Sequence, residues 1–206
     1  MQGTDTVTAD ELASWIRERS AGADRFLFGI AGPPGSGKST LAQRLGAELG
    51  APVVPMDGFH LPNATLRARG QLDVKGAPET FAAADFVELV TALRSAGRAI
   101  ACPEFDRTLD EPVAGRISVS PGDVVVVVEG NYLLIDRPPW SALPDLFDSI
   151  GYLDVPADVR LRRLIDRHVA FGKSRDEAAE FVRRSDEANA VLVEASRTRA
   201  DLIVSP

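Results

Sequence analysis

A chain of 206 residues, 45% hydrophobic and 26% charged, is long enough for one α/β domain with a sizeable core and ordinary in make-up for a globular protein. Its net charge of -7 excludes a global attraction for nucleic acid or an anionic membrane, so any anion must be bound by a few placed Lys and Arg side chains. A single cysteine, Cys102, and two histidines, His60 and His168, exclude an intrachain disulfide, a cysteine-based zinc site and a His-rich metal centre. No basic segment followed by an apolar core opens the chain, and the apolar run Val124 to Val128 is far too short to span a bilayer, so the expectation is a cytoplasmic protein.

In chain order, residues 1–6 are polar and read as a frayed end. Thr8 with Glu11 three residues later has the form of a capping box, and Leu12, Trp15 and Ile16 then share one helical face, with Gly22 as a stop. Residues 1–24 are thus an N-terminal helical extension. A strand is expected over 26–31, a helix from about Gly37 to Leu49 ended by Gly50, and a second strand over 51–56 that delivers Asp57, Gly58, Phe59 and His60 at its C-terminal end. Residues 61–78 read as a long polar loop, the form of a lid or substrate loop. Thr80 to Ser95 reads as a helix with Phe81, Phe86, Leu89, Val90 and Leu93 as its apolar stripe. A short strand over 98–102, a charged turn through 106–112 and a small locally paired strand over 117–119 follow. The five valines from Val124 predict a strand buried on both faces, ending at Glu129. A strand over 151–155, an arginine-rich helix over 157–171 broken by Gly172, a helix from Asp176 to about Ser196 and a strand over 202–204 complete the pattern. Strands alternating with helices predict a three-layer α/β fold, a central parallel sheet with helices on both faces, in a single domain spanning 1–206.

The stretch Gly32-Pro33-Pro34-Gly35-Ser36-Gly37-Lys38-Ser39-Thr40 has the form G-x-x-x-x-G-K-S between a strand and a helix, the context a phosphate-binding loop requires. Glycines let backbone N–H groups crowd around phosphate oxygens, and the helix beginning near Gly37 adds its unpaired N–H groups and positive dipole end. Lys38 is then expected on the β- and γ-phosphates, with the Ser39 hydroxyl on Mg²⁺. Glu129, at the end of a buried strand beside the loop, is the second candidate for Mg²⁺. Asp57 is the candidate base, because a kinase needs a carboxylate within hydrogen-bond reach of the acceptor hydroxyl. Arg160, Arg162, Arg163 and Arg167 crowd one helix, and guanidinium forks suit the charge of a phosphoryl group in transfer; Arg163 and Arg167 are the lid candidates. Phe59, His60, Phe105, Asp106 and Arg107 are candidates for the acceptor pocket.

With these residues assembled, the chain resembles the uridine kinase, phosphoribulokinase and bacterial pantothenate kinase superfamily of P-loop kinases, and within it the nucleoside/nucleotide kinase-like branch often labelled fructose transport system kinase. The resemblance covers about residues 25 to 206. It rests on the loop just described, on Met56-Asp57-Gly58-Phe59-His60, Lys75 to Phe81, Pro103 to Arg107, Glu129 to Leu134, Arg167-His168 ahead of Gly172-Lys173, Asp186 and Asn189-Ala190. It implies a P-loop NTPase fold, ATP and Mg²⁺, Asp57 as base, and acceptor contacts from the 63–81 and 103–111 loops, which brings Lys75 and Glu79 into the site; Asn131, in the Glu129 to Leu134 motif, is a further substrate candidate. It also implies an arginine-bearing lid around 160–175 and an adenine contact near the last strand. Gly76-Ala77-Pro78-Glu79 stands where uridine kinases carry an Asp-His-Pro element, Phe105-Asp106-Arg107 where they carry Tyr-Asp-Phe, and His168 where Asp is usual.

The reading is an ATP-dependent, Mg²⁺-requiring kinase acting on a hydroxyl of a nucleoside, sugar or pantothenate-like metabolite. Its partner is a small molecule, not nucleic acid or membrane, and association into a homodimer stays open. Two alternatives stand beside it. One is a nucleotide kinase that uses Arg67, Arg69, Lys75 or Arg107 on an acceptor phosphate. The other is an NTP-binding switch with slow hydrolysis.

Overall fold

A computed structural model describes residues 5–95 and 97–206. Six parallel strands form the main sheet in the order β1-β8-β7-β2-β6-β3. The strands are β1 (Asp5–Thr8), β2 (Phe26–Ala31), β3 (Val53–Pro55), β6 (Val125–Glu129), β7 (Ser149–Leu153) and β8 (Leu202–Ser205). The helices are α1 (Leu12–Arg19), α2 (Lys38–Leu49), α3 (Asn63–Ala68), α4 (Ala83–Arg94), α5 (Ala157–Ala170), α6 (Arg175–Phe181) and α7 (Glu187–Glu194). The chain thus has the expected parallel sheet with helices on both faces.

The period of two along each strand divides the core. Leu27 of β2 and Val126 and Val128 of β6 face one layer, where they pack with Phe86, Val90 and Leu93 of α4, Trp140 and Tyr132. Phe28, Ile30 and Val127 face the other, with Leu12 and Ile16 of α1 and Leu41 and Leu45 of α2. Every residue of β2 and β7 is buried, as a central parallel strand requires.

Several expected elements differ. Asp5 and Thr6 are not frayed: they belong to β1, paired to β8 in register Asp5↔Leu202 through Thr8↔Ser205; residues 1–4 lie outside the described residues. The Thr8–Glu11 box is made, with Thr8 N–H and hydroxyl donating to Glu11 at 3.1 and 2.7 Å. The 98–102 and 117–119 strands are halves of an antiparallel hairpin, β4 (Ile100–Asp106) and β5 (Glu111–Val119), separate from the main sheet. Within it only Cys102 and Val119 are buried, so no hydrophobic alternation announced it. Pro103, which has no N–H to give a ladder, sits at the register shift between Cys102 and Glu104. The 61–78 stretch contains α3 and a turn of 3₁₀ helix at Leu72–Val74. These are too short to show a period, with Leu66 their one buried residue. Phe81 precedes the helix rather than lying on its stripe, bridging to His60. The helix expected over 176–196 is interrupted by a π turn at Val182–Asp186.

Candidate active site

The site grows from the order of three neighbouring strands. β6 lies between β2 and β3, with Ile30↔Glu129 and Pro55↔Glu129 in register. That registry sets Glu129 beside the turn that follows β2 on one side and beside the turn that follows β3 on the other. The first turn leads into Lys38 and Ser39; the second, a 3₁₀ turn at Met56–Phe59, carries Asp57. All three strands are parallel, so these residues gather at one C-terminal edge, where open α/β sheets bind ligands.

The loop between β2 and α2 is shaped by glycine. Gly35 has φ +78° and Gly37, the N-cap of α2, has φ +95°, the left-handed region a side chain disfavours. A Cβ at Gly35 would also stand 2.7 Å from the Arg160 carbonyl and 2.8 Å from Leu164 Cγ, so α5 seats directly against the loop. Lys38 is buried and donates to the Pro33 carbonyl at 3.1 Å. Burial pushes its ammonium down to about 8, against the opposing pull of Glu129 and Asp57. The Ser36 hydroxyl is buried with no partner, so the loop holds an unspent donor beside its backbone amides. Ser39 Oγ donates to Glu129 Oε1 at 2.7 Å. Burial, then the charge of Asp57, holds the Glu129 carboxyl above the usual range.

These residues fit a bound triphosphate with its cation. Lys38 lines the cavity and is bonded only to the Pro33 carbonyl, with no ion pair among the described residues, and a hydroxyl beside a carboxylate is an all-oxygen donor pair suited to Mg²⁺. Mg²⁺ is commonly held by one or two protein groups plus phosphates.

A cavity of about 970 Å³ opens over this edge. Of the sequence candidates, Pro34, Gly35, Gly37, Lys38, Ser39, Thr40, Asp57, His60, Lys75, Phe105, Arg107, Glu129, Asn131, Arg163 and Arg167 line it. Gly32, Pro33 and Ser36 belong to the loop but stand behind its inner surface, Pro33 through the carbonyl that receives Lys38. Phe59 does not line the cavity: it is buried against Phe86 in the core, because the 3₁₀ turn sends consecutive side chains in different directions. Glu79 is also outside it, on the surface 3.8 Å from Arg137.

Asp57 Oδ2 lies 3.8 Å from Arg107 Nη2, and the Asp57 carbonyl meets His60 Nδ1 at 2.8 Å. Burial holds the His60 imidazole below its ordinary value. Arg163 donates to the Ser36 carbonyl at 3.0 Å, and Arg167 lies close enough to repel the Lys38 charge. Arg160 is turned away from the nucleotide side. It is buried and donates to the Pro34 carbonyl at 3.3 Å, Glu187 at 3.2 Å and Glu194 at 2.8 Å, tying α5 to the loop and to α7. His168 Nε2 meets Asp186 Oδ2 at 3.0 Å, joining α5 to the π turn. Asn63, Phe81 and Asp110 also line the cavity and were not singled out beforehand. Asn63 opens the six-residue α3 and Asp110 lies in the turn between β4 and β5, both too short to carry a pattern, whereas Phe81 falls in helical spacing with Phe86 although it lies ahead of α4.

The model of the phosphoribulokinase/uridine kinase family matches residues 27–206. A candidate uridine kinase of Schizosaccharomyces pombe is 35% identical over 97% of this chain and 91% of its own length. A pantothenate kinase of Leifsonia xyli is 35% identical over 72% of this chain, which spans about half of that longer protein (47%). Among solved structures, a candidate fructose transport system kinase from Silicibacter sp. TM1040 superposes with a TM-score of 0.88 and 40% identity, covering 97% of this chain and all (100%) of that one.

Proposed function

The chain belongs to the phosphoribulokinase/uridine kinase family, and from that premise we propose that it transfers the γ-phosphoryl group of ATP to a hydroxyl of a compact metabolite, with Asp57 as the base. Membership makes it an ATP-dependent small-molecule kinase, a phosphotransferase with an alcohol acceptor. The supporting observation is the row Lys38, Glu129, Asp57 along one sheet edge, all three facing one cavity.

The loop amides, the α2 N-terminus and Lys38 hold the β- and γ-phosphates and oppose the charge that spreads over the equatorial oxygens during transfer. Ser39 and Glu129 would hold Mg²⁺, which when bound neutralises charge on the β- and γ-phosphates. Asp57 accepts a hydrogen bond from the acceptor hydroxyl, orients it in line with the γ-phosphorus and takes its proton as the new P–O bond forms. Arg163 and Arg167, on the part of the expected 160–175 lid that already seats against the loop, add positive charge beside the phosphates, and the segment beyond them closes to exclude water.

A nucleotide switch needs no acceptor space, whereas the cavity over the loop extends to Asp57, His60, Phe105 and Arg107. The test is ADP release with and without added alcohols. Acceptor-dependent release, abolished in Lys38→Ala together with tight ATP binding, is expected. Release independent of every alcohol, at an unchanged slow rate, favours the switch.

A further inference from the structure

The turn at 107–110 is the far end of the β4–β5 hairpin, whose buried residues, Cys102 and Val119, lie at the other end. Leu109, the one large apolar side chain of the turn, is 61% exposed, so the turn itself has no apolar anchor. Two side chains at this end nevertheless line the cavity in set positions. The Phe105 ring stands 4.9 Å from the His60 ring, and Arg107 stands 3.8 Å from Asp57.

What holds the turn is polar and centred on Lys75. Its ammonium has three protons and three oxygens at contact: Asn63 Oδ1 at 2.8 Å, the Asp110 carbonyl at 2.7 Å and Asp110 Oδ2 at 2.8 Å. It also stands 4.9 Å from the Phe105 centroid, a cation–π distance. Asn63 donates its side-chain amide to the Asp110 carbonyl and to Oδ2, each at 3.1 Å, and its backbone N–H to Glu111 Oε1 at 2.9 Å. Asp110 has φ +54°, a left-handed backbone that Asp tolerates better than most residues. Burial works to raise its carboxyl, and the hydrogen bonds from Lys75 and Asn63 outweigh it and hold the group below the usual carboxylate range.

The other end of this clasp is fixed to the core. Gly76, next to Lys75, donates its N–H to Thr80 Oγ1 at 2.9 Å and receives the Tyr132 hydroxyl on its carbonyl. Thr80 and Tyr132 are both fully buried. A path of contacts thus runs from the core through Gly76 and Lys75 to the hairpin turn, and from the turn to His60 and Asp57. With its three protons engaged and its side chain 14% exposed, Lys75 has no donor left for a substrate.

We propose that Lys75 is a positioning residue for phosphoryl transfer: with Asn63 and Asp110 it fastens the β4–β5 turn over the acceptor end of the cavity, and so sets Phe105 and Arg107 beside His60 and Asp57, without itself touching substrate. This rests on the kinase reading above and adds the part that holds the acceptor wall in place.

The test follows backbone hydrogen–deuterium exchange and turnover in the full chain and in Lys75→Met, Asp110→Gly and the double variant. Glycine accepts the left-handed backbone at 110, so Asp110→Gly removes the carboxylate without adding strain. In the free protein, amides of 104–113 are expected to exchange at least about ten-fold faster in each single variant, with those of β2 and α2 unchanged. Turnover is read as ADP release with uridine, pantothenate, fructose and ribose 5-phosphate, on whichever of them the wild type uses. There each single variant lowers the acceptor kcat/KM at least about ten-fold while ATP binding stays within about two-fold, and the double variant falls little further, because both changes break one clasp. If Lys75 is instead a substrate ligand, Asp110→Gly frees it and turnover holds or rises, while Lys75→Met alone loses turnover; that split overturns the proposal. Unchanged exchange at 104–113 overturns it as well. So does faster exchange with the acceptor kcat/KM intact, which leaves the clasp a purely structural tie. Each of these results, with wild-type turnover present, leaves the kinase reading standing; a wild type that phosphorylates none of the four alcohols overturns both.

Discussion

Replacing Arg160 by Met keeps most of the side-chain volume and removes the guanidinium. Three acceptors then lose their donor: the Pro34 carbonyl in the loop and the carboxylates of Glu187 and Glu194. Breaking a fully buried ion pair costs about 3–5 kcal/mol. Here the glutamates are 31% and 50% exposed while the arginine is 2% exposed, so water takes over much of the carboxylate solvation. Arg160 Nε is moreover buried without a partner, a cost the methionine relieves. The net loss is therefore about 2–3 kcal/mol, close to one or two charged hydrogen bonds. In a chain of this size that lowers Tm by roughly 4–12 °C. Equilibrium urea unfolding and differential scanning calorimetry read the loss directly, with ATP binding measured on the folded variant. Wild-type stability combined with lost ATP binding would refute the structural role and make Arg160 a nucleotide ligand. Glu194→Gln in both backgrounds closes a double-mutant cycle, and a coupling below about 0.5 kcal/mol has the same force.

Asp57→Asn should lower kcat by at least about a hundred-fold, the low end of what a positioned base contributes, while ATP binding stays within a few-fold; titration calorimetry and steady-state rates separate the two, and a variant that keeps most of its turnover removes Asp57 as base. Lys38 makes two pH predictions of opposite sign. With its pKa depressed to about 8, the free protein loses the ammonium as pH rises, so between pH 7 and 9 the apparent Kd for ATP should weaken roughly ten-fold. Because the unfolded chain keeps that proton to about 10.4, the unfolded state binds more protons between the two values. The contribution of Lys38 to the stability of the free protein therefore rises with pH from about 8, as the burial penalty on the charge is relieved. Lys38→Met should flatten both trends, and parallel slopes in variant and wild type would show that other groups are responsible.

Much of the fold was legible because its physics is local. A central parallel strand buried on both faces is written as a run such as Val125 to Val128, and the αL positions at Gly37 and Gly50 mark the two ends of α2. The nucleotide half of the candidate site was legible for the same reason, since loop, helix start, Lys38 and Ser39 are consecutive. The acceptor half was read less well. The hairpin buries only Cys102 and Val119, at the end nearest the core, so alternation does not run along it, and the turn at Met56–Phe59 separates Phe59 into the core from His60 in the cavity, which neighbouring letters do not announce.

The sequence by itself determined a phosphate-binding loop between a strand and a helix, an α/β parallel sheet and a carboxylate at the end of the second strand. It could do so because backbone geometry and burial follow residue pattern over a few positions. The tertiary structure alone decided which cations are spent. Arg160 finds its partners at sequence separations of 126, 27 and 34 residues, and Lys75 finds Asp110 at 35. An ion's availability depends on the oxygens around it in space, and no local pattern records which distant turn supplies them.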